Sequence, residues 1–217
     1  MINSIKIKPD SIIAAILSTP SESRAVELKP STPWGDINKQ HQLQDIVKSI
    51  IGMSNVKDGG KLILGITQNP DRTFRATGMQ SPHLQTYDQD HIYQVARAYG
   101  NPAPRFEIRN IEFEGKFYIV FAIQEFLYSP VICIKPGSNA GVEPLMKGAL
   151  YIRTHKPETK KVDNETEMRE IIELAIDKEL GLWTPRIRRL VKPSVIKQKI
   201  KESSSKKFEA ELKDILL

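Results

Sequence analysis

The residues best suited to chemistry lie in the stretch ESRAVELKPS, where Glu22, Glu27 and Lys29 fall within a few positions of one another. Val26 and Leu28 interleave with Glu27 and Lys29, and that alternation is the signature of a strand with one apolar and one polar face. Two carboxylates near each other are the ligand type that hard divalent cations take, and an adjacent ammonium is a point charge for a phosphate. The plain alternative is a solvated strand face with a mild charge pair. A substitution on such a face would move stability by only about ±0.5 kcal/mol.

Other residues offer less. The four histidines, His41, His83, His91 and His155, lack the spacing of a metal motif, and the single cysteine, Cys133, sits in the apolar run PVICI. No disulfide framework and no zinc site follow from them. No GxxxxGK[ST] loop is present, so no nucleotide cofactor is expected. Gly59-Gly60 fits a helix-to-strand turn better than a phosphate cradle. Arg153 ends a strand-like segment close to Lys156, Lys160 and Lys161, which fits either a phosphate contact or a solvated basic rim. Trp34, in TPWGD, could stack on a base or pack over a core edge.

The strongest electrostatic feature comes late. Arg186, Arg188, Arg189, Lys192, Lys197, Lys199 and Lys201 follow one another with no acidic residue between them. Clustered cations gain from releasing the counterions condensed on a polyanion, so this run points to nucleic acid. The balance of 32 Lys+Arg against 26 Asp+Glu, a formal +6, leans the same way.

These residues need elements to hold them. Asp10 is placed to cap a short helix reaching Leu17, and AVELK reads as the strand after it. QHQLQDIVKSIIGMS puts Leu43, Ile46, Val47, Ile50 and Ile51 on one helical stripe, and KLILGI comes next as a buried strand. Asn69 to Gly78 reads as a polar loop or ragged edge strand. Thr86 with Gln89 has the form of a capping box opening a helix that buries Ile92, Val95 and Tyr99. RFEIRNIEF and KFYIVFAI flank Glu114-Gly115 as a β-hairpin, with a bulge expected at Arg109-Asn110. PVICI and ALYIR read as further strands. Asn164 with Glu167 opens a long helix that Gly181 should end, and Pro185 and Pro193 should interrupt the basic stretch beyond it.

The expectation is an α+β fold, a largely antiparallel sheet with helices on one face, spanning residues 1–182, followed by a basic linker and C-terminal helix over 183–217. Phe208, Leu212, Ile215 and Leu216 form an apolar stripe near the end of the sequence. It would need cover from the domain, from a second copy in a homodimer, or from further protein. No segment approaches the ~20 apolar residues of a membrane span, and no secretion signal is visible, so a cytoplasmic protein without a membrane partner is expected.

In this order the elements resemble the Schlafen AlbA_2 domain family, formerly called the divergent AAA-4 domain. ESRAVELK looks like that family's opening glutamate followed by an apolar-Glu-apolar-Lys strand. SIIGMSNVKDGGKLILGI is similar to its helix ending in small residues and Asn, then Gly-Gly and a strand ending in Gly. GALYIRTHKPETKKV resembles its Tyr-Ile-Arg strand and polar turn. The resemblance covers about residues 20 to 180.

There are departures. The segment from Asn55 to Gly59 is about one residue longer than usual, and Thr154-His155 stands where Gly-Ser is common. The zinc-site cysteines of the vertebrate Schlafens are missing. Where the Schlafen nucleases carry a third acid, this chain has Thr67 and Gln68, and Asp71 is the nearest carboxylate.

The resemblance implies a nucleic-acid-binding protein, acting on DNA or RNA in regulation or in defence against foreign nucleic acid, with Arg153, Lys156, Lys160, Lys161, Arg186, Arg188, Arg189 and Lys192 as contacts. It also implies a rival reading as a nuclease, with Glu22, Glu27 and Lys29 as catalytic residues and Glu22, Glu27 and Asp71 around Mg²⁺ or Mn²⁺. A third reading is a module that docks on an ATPase or another effector protein. The two-lobed clamp of vertebrate Schlafens implies a homodimer that supplies a second lobe.

Overall fold

The protein is described from a computed structural model covering residues 8–36, 41–137 and 145–190. It divides into two compact units, Met1–Ala175 and Ile176–Leu217. Lys192, Phe208, Leu212, Ile215 and Leu216 lie outside the described residues, as does the side chain of Arg189.

The first unit is built on a four-stranded sheet with order β1-β2-β7-β6. Its strands are β1 (Val26–Lys29), β2 (Gly60–Leu64), β6 (Arg105–Phe113) and β7 (Lys116–Gln124). β1 runs parallel to β2, with Glu27 opposite Leu62, while β2–β7 and β6–β7 are antiparallel. The helix that crosses from β1 to β2 is α2 (His41–Ser54). Leu43, Ile46, Val47, Ile50 and Ile51 of α2 are completely buried against Leu62, Leu64, Ile119, Phe121 and Ile123. Burying each such side chain is worth about 1.5–3 kcal/mol, so this face holds α2 firmly in place.

Helices cover both faces of the sheet, not one as expected. α1 (Ser11–Ser18), capped by the Asp10 carboxylate on the Ile13 amide, packs Ile13 and Leu17 on Leu28, Ile63, Ile111, Tyr118 and Val120. That is why KLILGI reads as continuously apolar: alternate residues serve different cores. The same fact removes the expected bulge. β6 and β7 keep an unbroken register from Arg105–Gln124 to Phe113–Lys116. The alternation slips at Arg109-Asn110 because Ile108 belongs to the α2 core and Ile111 to the α1 core.

The smaller elements are two hairpins, a short strand pair and helices. β3 (Ile66–Gln68) pairs with β4 (Phe74–Ala76), so the polar loop expected there is an edge hairpin. α3 (Ser81–Leu84) leads into α4 (Gln89–Tyr99). The N-cap of α4 is Asp88, whose carboxylate accepts from the His91 amide. Thr86, expected in that role, instead donates to the His83 carbonyl and accepts from the Trp34 amide. β5 (Gly100–Asn101) pairs with β8 (Ile132–Cys133), and β9 (Tyr151–Arg153) with β10 (Thr159–Lys161).

The last helix is α5 (Glu165–Leu190). Asn164 accepts from the Glu167 amide at its start, as its sequence suggests. Gly181 does not end the helix, and Pro185 lies inside it. The Thr184 hydroxyl donates to the Leu180 carbonyl in the turn before Pro185.

Candidate functional site

Glu27 is where sequence and structure differ most. Its alternation with Val26 and Leu28 predicts a wet face, and it is 5% exposed. Its register partner Leu62 faces α2, so Glu27 also points beneath α2 rather than into water. A buried carboxylate is stable only with partners. Glu27 has them on both oxygens. Lys29 Nζ lies 2.9 Å from Oε1, while Arg153 Nη1 donates to Oε2 at 3.0 Å and Thr159 Oγ1 at 3.3 Å. Ser49 of α2 lines the same cleft, its hydroxyl donating to the Asp45 carbonyl at 2.7 Å. Burial works against the charged form most strongly, but the Lys29 and Arg153 charges together outweigh it and hold the carboxyl below its ordinary range.

Glu22 sits in the turn before β1 and folds back onto that strand. Its Oε1 accepts from the Leu28 amide at 2.9 Å and lies 3.8 Å from Arg153 Nη2. Partial burial pushes this carboxyl up, because the Leu28 bond and Arg153 only partly offset the lost hydration.

Arg153 is the centre of the arrangement. Expected as a phosphate contact or on a solvated basic rim, it is 1% exposed. Beyond the two glutamates, its Nη2 donates to the Val26 carbonyl at 3.2 Å. Arg24 Nε donates to the Arg153 carbonyl at 3.1 Å, and the Arg24 guanidinium pairs with Glu170 of α5. His155 Nε2 lies 3.3 Å from Arg24 Nη1.

Two residues outside the expected set place Arg153. Gly52, inside α2, lets the helix approach β9 and β10 so closely that a Cβ there would come within 2.5 Å of Thr159 Cγ2. Asn55, 1% exposed, donates to the Val131 and Tyr151 carbonyls at 2.9 Å each and accepts from the Val131 amide at 2.7 Å. The sequence signal for Gly52 is a lone glycine inside a strong helical stripe, which often marks close packing.

Glu22, Glu27, Lys29 and Arg153 line one cleft of ≈ 280 Å³, together with Asp45, Lys48, Ser49 and Thr159. Several expected participants do not line it. Asp71 is in the β3–β4 turn, exposed, with its Oδ1 accepting from the Thr73 amide and hydroxyl. Thr67 pairs with Arg75 in that hairpin and bonds Thr77. Lys160 is held by Asp163 at 2.9 Å and Glu167 at 3.1 Å, while Lys156 and Lys161 are exposed. Trp34 packs in the core beside Tyr87, with ring centroids 5.9 Å apart.

With every Glu27 oxygen matched to a cation, the cleft does not fit a divalent ion in this arrangement. Among the described residues no three His, Cys, Asp or Glu side chains are grouped to hold one. A metal would have to replace Lys29 or Arg153 as the partner of Glu27.

The family model described as Schlafen, AlbA_2 matches residues 22–163. The chain belongs to the Schlafen AlbA_2 family. The matched residues begin at Glu22 and contain Glu27, Lys29, Arg153 and Thr159, so the whole buried network of this Schlafen AlbA_2 domain lies within the match. The basic stretch from Arg186 lies beyond it. No curated protein matches the chain.

Two solved structures are similar. One is the crystal structure of the DIP2311 protein from Corynebacterium diphtheriae, with 15% identity and TM-score 0.45, covering 73% of this chain and 27% of that one. The chain thus spans about a quarter of that protein. The other is the solution structure of the N-terminal domain of a putative ATP-dependent DNA helicase RecG-related protein from Nitrosomonas europaea. It has 19% identity and TM-score 0.35, covering 55% of this chain and 74% of that one.

In the second unit, α5 carries a different kind of surface. Trp183 is 51% exposed, and the Arg186 guanidinium lies over its ring, 5.3 Å from the centroid. Arg188 is also exposed, and no acidic residue occurs from Leu180 to Leu190. Among the described residues no helix is long and apolar enough to cross a membrane.

Proposed function

We propose that this Schlafen AlbA_2 protein binds nucleic acid through α5, with Trp183 as a stacking platform and Arg186 and Arg188 as phosphate contacts. The observation that carries the reading is the exposed Trp183 ring, its Nε1 donating to Glu179 and the Arg186 guanidinium over its face, at the start of a stretch with no acidic residue from Leu180 to Leu190. Every base has a π-face, so an aromatic ring beside cations holds single strands with little sequence preference. The cations supply affinity through counterion release. The basic residues that come after Arg188 in sequence, Arg189 and Lys192, extend the same charge. Family membership supports placing this binding in regulation or in defence against foreign nucleic acid.

The test titrates the full chain against labelled tRNA, single-stranded DNA and duplex DNA at several salt concentrations, in EDTA and with Mn²⁺. Binding is expected in EDTA, with log K falling as log salt rises. The combined variant Arg186→Gln, Arg188→Gln should flatten that slope by about 0.7–0.9 for each phosphate left without its cation. An unchanged slope removes α5 from the interface. Cleavage that appears with Mn²⁺ and disappears in Glu27→Gln would replace this reading with the nuclease one, with Glu22, Glu27 and Lys29 in the catalytic roles.

A further inference from the structure

The Glu22–Glu27 pair has the shape of a metal site and the charge balance of a finished salt bridge. A hard divalent ion binds where carboxylate oxygens are unpaired and anionic charge is in excess. Among these four side chains two carboxylates face two cations, so their cluster is neutral before any ion arrives; of the other charged residues lining the cleft, Asp45 pairs with Lys48 and Glu158 is exposed. Arg153 cannot relieve this by losing its proton, since a guanidinium stays charged in proteins. It cannot readily swing away either. Its side chain is fully enclosed, its Nη2 is tied to the Val26 carbonyl, and its own carbonyl is held by Arg24. An approaching ion would meet a fixed positive charge where it needs a negative one.

We propose that Arg153, helped by Lys29, takes the electrostatic place of a divalent cation between Glu22 and Glu27. Arg153 thereby masks a latent metal site in this chain. The geometry has three consequences. The wild-type fold gains nothing from Mg²⁺ or Mn²⁺ through these residues. Removing Arg153 leaves two neighbouring carboxylates with only Lys29 to balance them, at the mouth of a cleft that water already reaches. The site created by that removal needs Glu27, because Glu27 supplies the oxygen Arg153 has released. The proposal is independent of the α5 interface, since nucleic-acid binding is measured in EDTA and this one without nucleic acid.

The experiment measures Mn²⁺ binding to the full chain by electron paramagnetic resonance and thermal melting in EDTA and in Mn²⁺. Four proteins are compared: wild type, Arg153→Ala, Lys29→Met, and the double variant Glu27→Gln, Arg153→Met. Wild type should melt at one temperature in both buffers. Arg153→Ala should melt lower than wild type in EDTA and recover in Mn²⁺. Its Mn²⁺ affinity should exceed wild type by about tenfold or more, the low end of what a unit charge at that separation is worth near a protein surface. Lys29→Met, at the more exposed edge of the cluster, should gain affinity in the same direction and keeps the test open if Arg153→Ala fails to fold. The double variant should bind no Mn²⁺. Wild type that binds Mn²⁺ in a Glu27-dependent way overturns the proposal. So does a folded Arg153→Ala or Lys29→Met protein with no gain in affinity.

Discussion

Arg153 and Glu27 stand 126 positions apart in the sequence and 3.0 Å apart in the fold, with both side chains almost fully removed from water. Each makes the other tolerable there. The pair ties the β9–β10 hairpin to the first strand of the sheet beneath α2, so its stability is also the stability of the cleft.

Glu27→Ala should therefore be costly. Removing one partner of a buried pair leaves the other charge uncompensated, which costs about 3–5 kcal/mol. The figure of about ±0.5 kcal/mol for an exposed face does not apply to this residue. Urea unfolding of the variant should show a large drop in midpoint. Glu22→Ala, at the wetter end of Arg153, should cost less.

Acid should act through the same carboxyl. Glu27 is held below its ordinary value, so its contribution is present above about pH 4.3 and is lost as pH falls through the lowered folded value. Glu22 is raised and works in the opposite direction, contributing below its ordinary value and losing that contribution as pH rises through the raised one. The stability gap between wild type and Glu27→Gln should be constant near neutrality and shrink below about pH 4. A gap that stays constant as the pH is taken well below that value would contradict this.

Asn55→Leu should destabilise the protein without touching a charge. Three buried backbone groups, on Val131 and Tyr151, lose their partner. Each unpaired group costs about 1–3 kcal/mol, so a loss on the order of 3 kcal/mol or more is expected. Faster amide exchange at Val131 would locate the damage.

Gly59→Ala should be worse than a simple loss of flexibility. Gly59 has φ +65°, and a Cβ there would lie 2.1 Å from the Ile123 carbonyl oxygen. The left-handed backbone costs about 1–2 kcal/mol for a non-glycine residue, and the clash with backbone adds to it. Thermal melting should show the strain directly.

Trp183→Ala should leave the fold unchanged and weaken single-stranded nucleic acid binding. The ring is half exposed, and its loss removes about 1–3 kcal/mol of stacking per base. Equal weakening on duplex and single strand would point to charge alone.

Elements with a local cause were legible before any coordinates. The stripe from Leu43 to Ile51 could only be an amphipathic helix, Glu114-Gly115 between two alternating runs could only be a hairpin, and Asp10 and Asn164 cap the helices they precede. The order of three short motifs was enough to indicate the family. Periodicity tells which side chains share a face, but not what lies against that face. VELK places Glu27 opposite Leu28, and only the packing of α2 on one face and α1 on the other decides that both are buried. Nor does spacing locate a partner more than a hundred residues away: Arg153 reads as a phosphate contact or a solvated basic rim, and β9 places it under Glu27. A charged side chain is buried or exposed according to whether its counter-charge arrives, and that is a property of the assembled sheet.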